Sequence, residues 1–162
     1  MLWIQERPLT NMNNLVSIKN LTINFKVNQN VVDNVNIDIP KGKTVAIVGE
    51  SGSGKTLSAL SILKLLPTNA IIKNGSIIFN DKDLLKLPQN EIEKIRGNKI
   101  STIFQEPMSS LNPLHKIDKQ IKEIITTHNN KVNSKELDQY VLKLLKEVNL
   151  DNLMNRPNIY SY

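Results

Sequence analysis

Residues Gly49-Glu50-Ser51-Gly52-Ser53-Gly54-Lys55-Thr56 fill every required position of the pattern G-x-x-x-x-G-K-[ST], the Walker A pattern. It constrains the fold strongly, because it works only as a tight loop between a strand and a helix. Several backbone N–H groups must converge on one oxyanion, and small residues let the chain curl that tightly. Both flanks agree. Thr44-Val45-Ala46-Ile47-Val48 is a short apolar run suited to a strand buried on both faces, and Leu57 to Leu66 has helical apolar spacing that stops at Pro67. A phosphate cradle follows, set against the alternative of an ordinary glycine-rich turn. Gly49, Ser51, Gly52, Ser53, Gly54, Lys55, Thr56 and Leu57 are the expected nucleotide-binding residues. Lys55 is expected to reach the β- and γ-phosphates and the Thr56 hydroxyl to ligate Mg²⁺, with the helix N-terminus adding its dipole.

Composition narrows the remaining classes. The 162 residues suffice for one domain with a sizeable core if the chain is a whole domain. There is no cysteine, which excludes disulfides, thiolate metal sites and cysteine nucleophiles. No run of about 18 apolar residues is present, so nothing in the sequence spans a membrane by itself. Met1 to Pro8 lacks the charged start and apolar stretch of a signal peptide, and the chain reads as cytoplasmic. The net charge of +6 comes from lysines scattered among asparagines and isoleucines, without a basic run or interleaved aromatics. No nucleic-acid partner is expected.

Along the chain, Leu15 to Val27 and Val31 to Ile39 read as an antiparallel hairpin turned at Asn28-Gln29-Asn30, with Val35, Ile37 and Ile39 alternating with polar residues. Pro40-Lys41-Gly42-Lys43 turns the chain, and Asn74-Gly75 precedes a short strand, Ser76 to Phe79. Gln89 to Arg96 suits a short helix closed by Gly97, and Lys99 to Phe104 is a second buried-strand candidate leading into Gln105. After Pro113 the character becomes helical: about Ile117 to His128, then Ser134 to Asn149. Ser134 is the expected N-cap of the latter, with Leu137, Val141, Leu144, Leu145 and Val148 on one face. Met1 to Asn11 is either an extension or a misplaced start, since Met12 precedes the first strand. His115 and His128 lack a neighbouring carboxylate or metal-ligand spacing and read as surface residues; Arg96 reads as a helix-end residue.

These stretches together resemble the ATP-binding subunit of ABC transporters, and more narrowly the oligopeptide/dipeptide importer group. The resemblance covers about Leu15 to Tyr162. It rests on Val48 to Thr56, on Gly75-Ser76-Ile77-Ile78-Phe79, on Asp83-Leu84-Leu85 and Ile95-Arg96-Gly97, and most specifically on Ile103-Phe104-Gln105-Glu106-Pro107-Met108-Ser109-Ser110-Leu111-Asn112-Pro113. Thr56 stands where this group usually has serine, which keeps the hydroxyl. The resemblance implies an α/β P-loop NTPase fold of ABC type, with an N-terminal antiparallel β subdomain, the start of a helical subdomain and an incomplete core. It divides the chain into a flexible extension (1–14), the β subdomain plus P-loop core through the Q-loop (15–113), and a partial helical subdomain (114–162).

The roles it implies are specific. Phe25 sits where the family stacks an aromatic on adenine, although an aromatic in a strand is also an ordinary core residue. Gln105 matches the Q-loop glutamine that touches Mg²⁺ or the attacking water and senses the permease. Lys55 and Gln105 are the expected catalytic residues, and Thr56 and Gln105 the metal ligands. ATP and Mg²⁺ are the implied cofactors. The implied partners are transmembrane permease subunits and a second ATP-binding subunit, identical or different, at the inner face of the cell membrane, with the membrane touched only through the permease.

The family's LSGGQ signature, Walker B carboxylates and switch histidine are not among these 162 residues. Arg156 to Tyr162 resembles the segment leading into the signature, with Ser161 where a proline is usual. Phosphoryl transfer is catalysed by positioning and charge stabilisation, so little or no hydrolysis by this chain alone is expected. Buried faces and strand edges are also expected to lie open. Two readings follow: the N-terminal part of an energy-coupling ATPase for peptide import, or a non-hydrolysing nucleotide-binding or permease-docking remnant. Another P-loop enzyme, such as a small kinase or GTPase, is disfavoured because no N-K-x-D element is present.

Overall fold

The computed structural model describes residues 14–25, 30–105, 111–128 and 133–150, which divide into two compact units, Met1–Glu93 and Lys94–Tyr162. Residues 1–13 of the expected extension, Asn28 and Gln29 of the expected hairpin turn, the Q-loop residues 106–110 and Arg156 to Tyr162 lie outside the described residues, while Asn14 and Asn30 already belong to the first two strands.

The first unit is built on a four-stranded antiparallel sheet of order β2-β1-β3-β4. Its strands are β1 (Asn14–Phe25), β2 (Asn30–Pro40), β3 (Ala70–Phe79) and β4 (Lys82–Asp83). β1 is central and pairs with β2 on one side and β3 on the other. Its inward residues are Val16 and Ile18, then Leu21 and Ile23, which breaks strict alternation. The break is a bulge at Lys19-Asn20. Asn20 has φ +51°, and the register shifts there against both neighbours. One extra residue returns Leu21 and Ile23 to the face already occupied by Val16 and Ile18. Across the sheet, Gly75 sits at φ +115°, where a Cβ would lie 2.7 Å from the Leu21 Cα. Only glycine fits that approach.

Several elements differ from the sequence reading. β3 starts at Ala70, so Asn74-Gly75 lies inside the strand instead of preceding it, because pairing with β1 carries the ladder past the glycine. The helix after the P-loop, α1 (Lys55–Ile62), stops before Leu66. Lys64 adopts φ +51°, its N–H reaches Ser61 O at 3.1 Å, and the Leu65 N–H reaches Leu60 O at 3.0 Å. This is a Schellman ending that saturates the last carbonyls before Pro67 is reached. Thr44 to Val48 forms no strand, and Val48 is 92% exposed. The physical reason is pairing: a strand needs a hydrogen-bonded neighbour, and no described strand pairs with this segment.

Helix α2 (Gln89–Ile95) ends one residue before the expected Arg96, and Gly97 follows at φ +71°, with the Ile95 carbonyl accepting the Lys99 N–H at 2.9 Å. In the second unit, α3 (Ile117–His128) packs on α4 (Ser134–Glu147). The N-cap of α4 is Asn133, not Ser134. Its side chain accepts the Glu136 N–H at 2.9 Å while the Glu136 carboxylate accepts the Asn133 N–H, a capping box that leaves Ser134 as the first helical residue. Val141 and Leu145 are buried, whereas Val148 is exposed because the helix has already ended and Asn149 turns left-handed, φ +58°. Lys122 on α3 pairs with Asp138 on α4 and with Asp118, and these carboxylates raise its pKa. Lys99 to Phe104 forms no strand beyond one parallel bridge, Arg96 to Ile100. Ile103 is 95% exposed, for the same want of a neighbour. No helix among the described residues is long and apolar enough to cross a membrane.

Candidate functional site

The turn at Pro40, where the Lys43 N–H returns to Pro40 O at 3.2 Å, sends the chain through Thr44–Val48 into the glycine-rich loop. Gly52 (φ +80°) and Gly54 (φ +87°) both occupy the left-handed region, which curls the loop onto the start of α1. Gly54 is also seated hard against β2. A Cβ there would lie 2.6 Å from the Val32 Cγ2 and 2.9 Å from the Val31 carbonyl oxygen. The loop is thus held by the hairpin, not only by its own turn.

A helix beginning at Lys55 leaves the N–H groups of its first turn without intrahelical acceptors. No side chain caps this end, and the first turn carries no acidic residue. The positive end of the helix therefore faces outward without a competing anion. Behind it, the Ser58 hydroxyl donates to Gly54 O at 3.0 Å and the Ser61 hydroxyl to Ser58 O at 2.7 Å, so the buried face of α1 is braced by two serines. Lys55 folds back over the loop. Its ammonium donates to the carbonyls of Gly49 at 2.8 Å and Glu50 at 2.6 Å and to the Ser53 hydroxyl at 3.3 Å. The side chain consequently spans the loop as a strut, with its charge at the concave surface.

A cleft of about 230 Å³ opens here, lined by Phe25, Val31, Gly52, Ser53, Gly54, Lys55, Thr56 and Leu57. The structure thus brings Phe25, at the end of β1, beside six of the residues singled out in the loop and first turn. Gly49 and Ser51 are not among its lining residues; Gly49 contributes its carbonyl to Lys55. Thr56 is exposed. Val31 was not anticipated: it follows the hairpin turn in sequence, and only the pairing of β2 with β1 carries it to the cleft. The donors on one side suit a phosphate chain and the apolar wall of Phe25 and Val31 suits a flat base, so the residues present fit a Mg²⁺-nucleotide.

Gln105 lies in the second unit, exposed, at a bend directly before residues outside the described set. His115 is half-buried and His128 exposed. Among the described residues no group of His, Asp and Glu is arranged to hold a metal ion.

The family model described as ABC transporter matches residues 32–161. The chain belongs to the ABC transporter family. It is 43% identical over 157 residues to a peptidoglycan transport ATP-binding protein of Agrobacterium fabrum, covering 94% of this chain and 29% of that protein. It is 38% identical over 151 residues to a dipeptide transport ATP-binding protein of Lactococcus lactis, covering 91% and 43%. Among solved structures, a dimeric ATP-binding cassette in a post-hydrolysis state, bound to ADP and Pi, superposes with a TM-score of 0.73 at 25% identity, over 90% of this chain and 63% of that one. The fold is that of an ABC-type P-loop NTPase, present in part; the chain spans less than half the length of these two curated relatives.

Proposed function

We propose that this chain is the nucleotide-cradling part of an ATP-binding subunit that couples ATP to the import of oligopeptides or dipeptides. The observation that carries the reading is the single cleft in which Phe25 and Val31 face the loop residues Gly52 to Thr56 and the first turn of α1. The dipeptide-transport name of the Lactococcus lactis relative supports the solute class. Lys55 and the first-turn amides would hold the phosphate oxygens, and the Thr56 hydroxyl would ligate Mg²⁺. Phe25 bounds the base. Gln105 is assigned to sensing the permease and orienting water. When bound, ATP supplies the anionic phosphate chain whose cleavage energises transport. The division at Pro113 into a β subdomain with P-loop core and a partial helical subdomain is kept as the functional division. The partners proposed are permease subunits at the inner face of the membrane and a second ATP-binding subunit, a reading supported by the dimeric form of the structural neighbour.

A second reading, binding without hydrolysis, is favoured by one feature: among the described residues the cleft lining contains no carboxylate. Equilibrium binding of Mg²⁺-ATP and its turnover by the purified chain separate the two. Loss of the Lys55 ammonium in Lys55→Ala is expected to weaken ATP binding by about 10- to 100-fold, the worth of a charged hydrogen bond. Turnover abolished by Lys55→Ala would assign hydrolysis to this chain, and binding without turnover would assign the non-hydrolysing role. Failure to bind any nucleotide would sink both, and preference for GTP would revive a different P-loop class.

A further inference from the structure

Among the described residues, the outer edge of β3 is without a strand partner over most of its length. β4 pairs only with Ile78 and Phe79, and the ladder is closed by Asp83, whose Oδ1 accepts the Ile77 N–H at 3.2 Å while the Leu84 N–H reaches Ile77 O at 2.8 Å. From Ala70 to Ser76 no strand lies on this side among the described residues. Beside that edge is a cleft of about 380 Å³, away from the P-loop, whose lining includes Ile72, Leu85, Asp83 and the lysines Lys64, Lys73 and Lys86. Three lysines therefore line it against one aspartate. That carboxylate is already engaged, accepting the N–H groups of Ile77 and Leu85 and pairing with Lys86 at 3.4 Å. Lys64 is anchored by its bond to Leu87 O at 2.7 Å, which fixes one charge at the rim.

We propose that this edge is a docking site for an extended acidic segment of a partner protein, added as a fifth strand beside β3. Main-chain hydrogen bonds to an open edge supply affinity, and alternate side chains supply selectivity. Here the acidic side chains meet Lys64, Lys73 and Lys86, and the apolar ones meet Ile72 and Leu85. Charge complementarity chooses the partner's sign. Lysines at an open edge also guard against self-pairing, and the experiment distinguishes that role.

The probe is a short fluorescein-labelled peptide of alternating Glu and Val, titrated against the purified chain by fluorescence anisotropy. Saturable binding is expected, weakened about tenfold or more by Lys73→Glu combined with Lys86→Glu. The same peptide N-methylated at alternate amides should not bind the unaltered chain, and amide exchange at Ile72 to Gly75 should slow only with the unmethylated peptide. Lys55→Ala should leave peptide affinity unchanged, which separates this surface from the nucleotide cleft. Equal binding of the N-methylated peptide, or displacement by inorganic phosphate at matched concentration, would reduce the site to a simple anion patch and overturn the strand. No binding at all would leave the lysines as edge guards and overturn the proposal.

Discussion

β1 and the segment Thr44–Val48 are both rich in β-branched residues, yet one forms the centre of a sheet and the other forms no strand. Val16, Ile18, Leu21 and Ile23 are buried with strands on both sides, whereas Val48 stands almost wholly in solvent. The two differ in neighbours, not in propensity. Side-chain chemistry makes a strand possible, but its backbone groups need partners before burial is tolerable. The same lesson holds in the second unit for Ile103 and Phe104.

The comparison breaks first, and with the largest effect, at Leu21. Leu21→Ala is expected to lose about 2–5 kcal/mol in urea unfolding, because a fully buried side chain leaves a cavity in the sheet core. A loss as small as that of a surface change would mean that the sheet is not the folding core. Gly75→Ala comes next, at about 1–3 kcal/mol, since the added Cβ meets the β1 backbone at a left-handed φ. Asp38 follows, through pH. The Ser17 hydroxyl, and then Lys19 with its 2.9 Å pair, hold the Asp38 carboxyl below its ordinary value of 3.8 despite partial burial. A depressed folded pKa gives stability that is present above the ordinary carboxylate pKa and lost as pH falls below it. Asp38→Asn should therefore flatten the stability-against-pH curve below about pH 4; an unchanged acid limb would remove the contacts of Asp38 with Ser17 and Lys19 from the account. The smallest effect is expected at Ile47→Ala, within about 0.5 kcal/mol, as at an exposed position. Amide exchange sharpens the contrast without mutation: β1 should be protected and residues 44–48 should exchange close to the unfolded rate.

Much of this was legible in the sequence because it is local. The hairpin, the P-loop, α2 with its terminal Gly97, and α3 were placed from periodicity and end signals, and the resemblance to ABC transporters rested on motifs. What escaped depended on competition between near-equal local signals. Asn133 and Ser134 are both good caps, and only the reach of Glu136 chose Asn133. Pro67 is a strong helix stop, but Lys64 accepted a left-handed conformation first and ended α1 earlier. The bulge at Asn20 has no sequence signal of its own; the inward phase of Leu21 became visible only once β2 and β3 flanked it.

The sequence by itself determined the chemistry of the loop: which residues can curl, which ammonium can reach an oxyanion and which hydroxyl can face a metal. Those properties belong to single residues and their spacing. Only the tertiary structure decided that Gly54 is wedged against Val31 and Val32, that Phe25 and Val31 wall the same cleft, and that one apolar run pairs while another stays open. Pairing and close approach are relations between distant segments, and no residue encodes them alone.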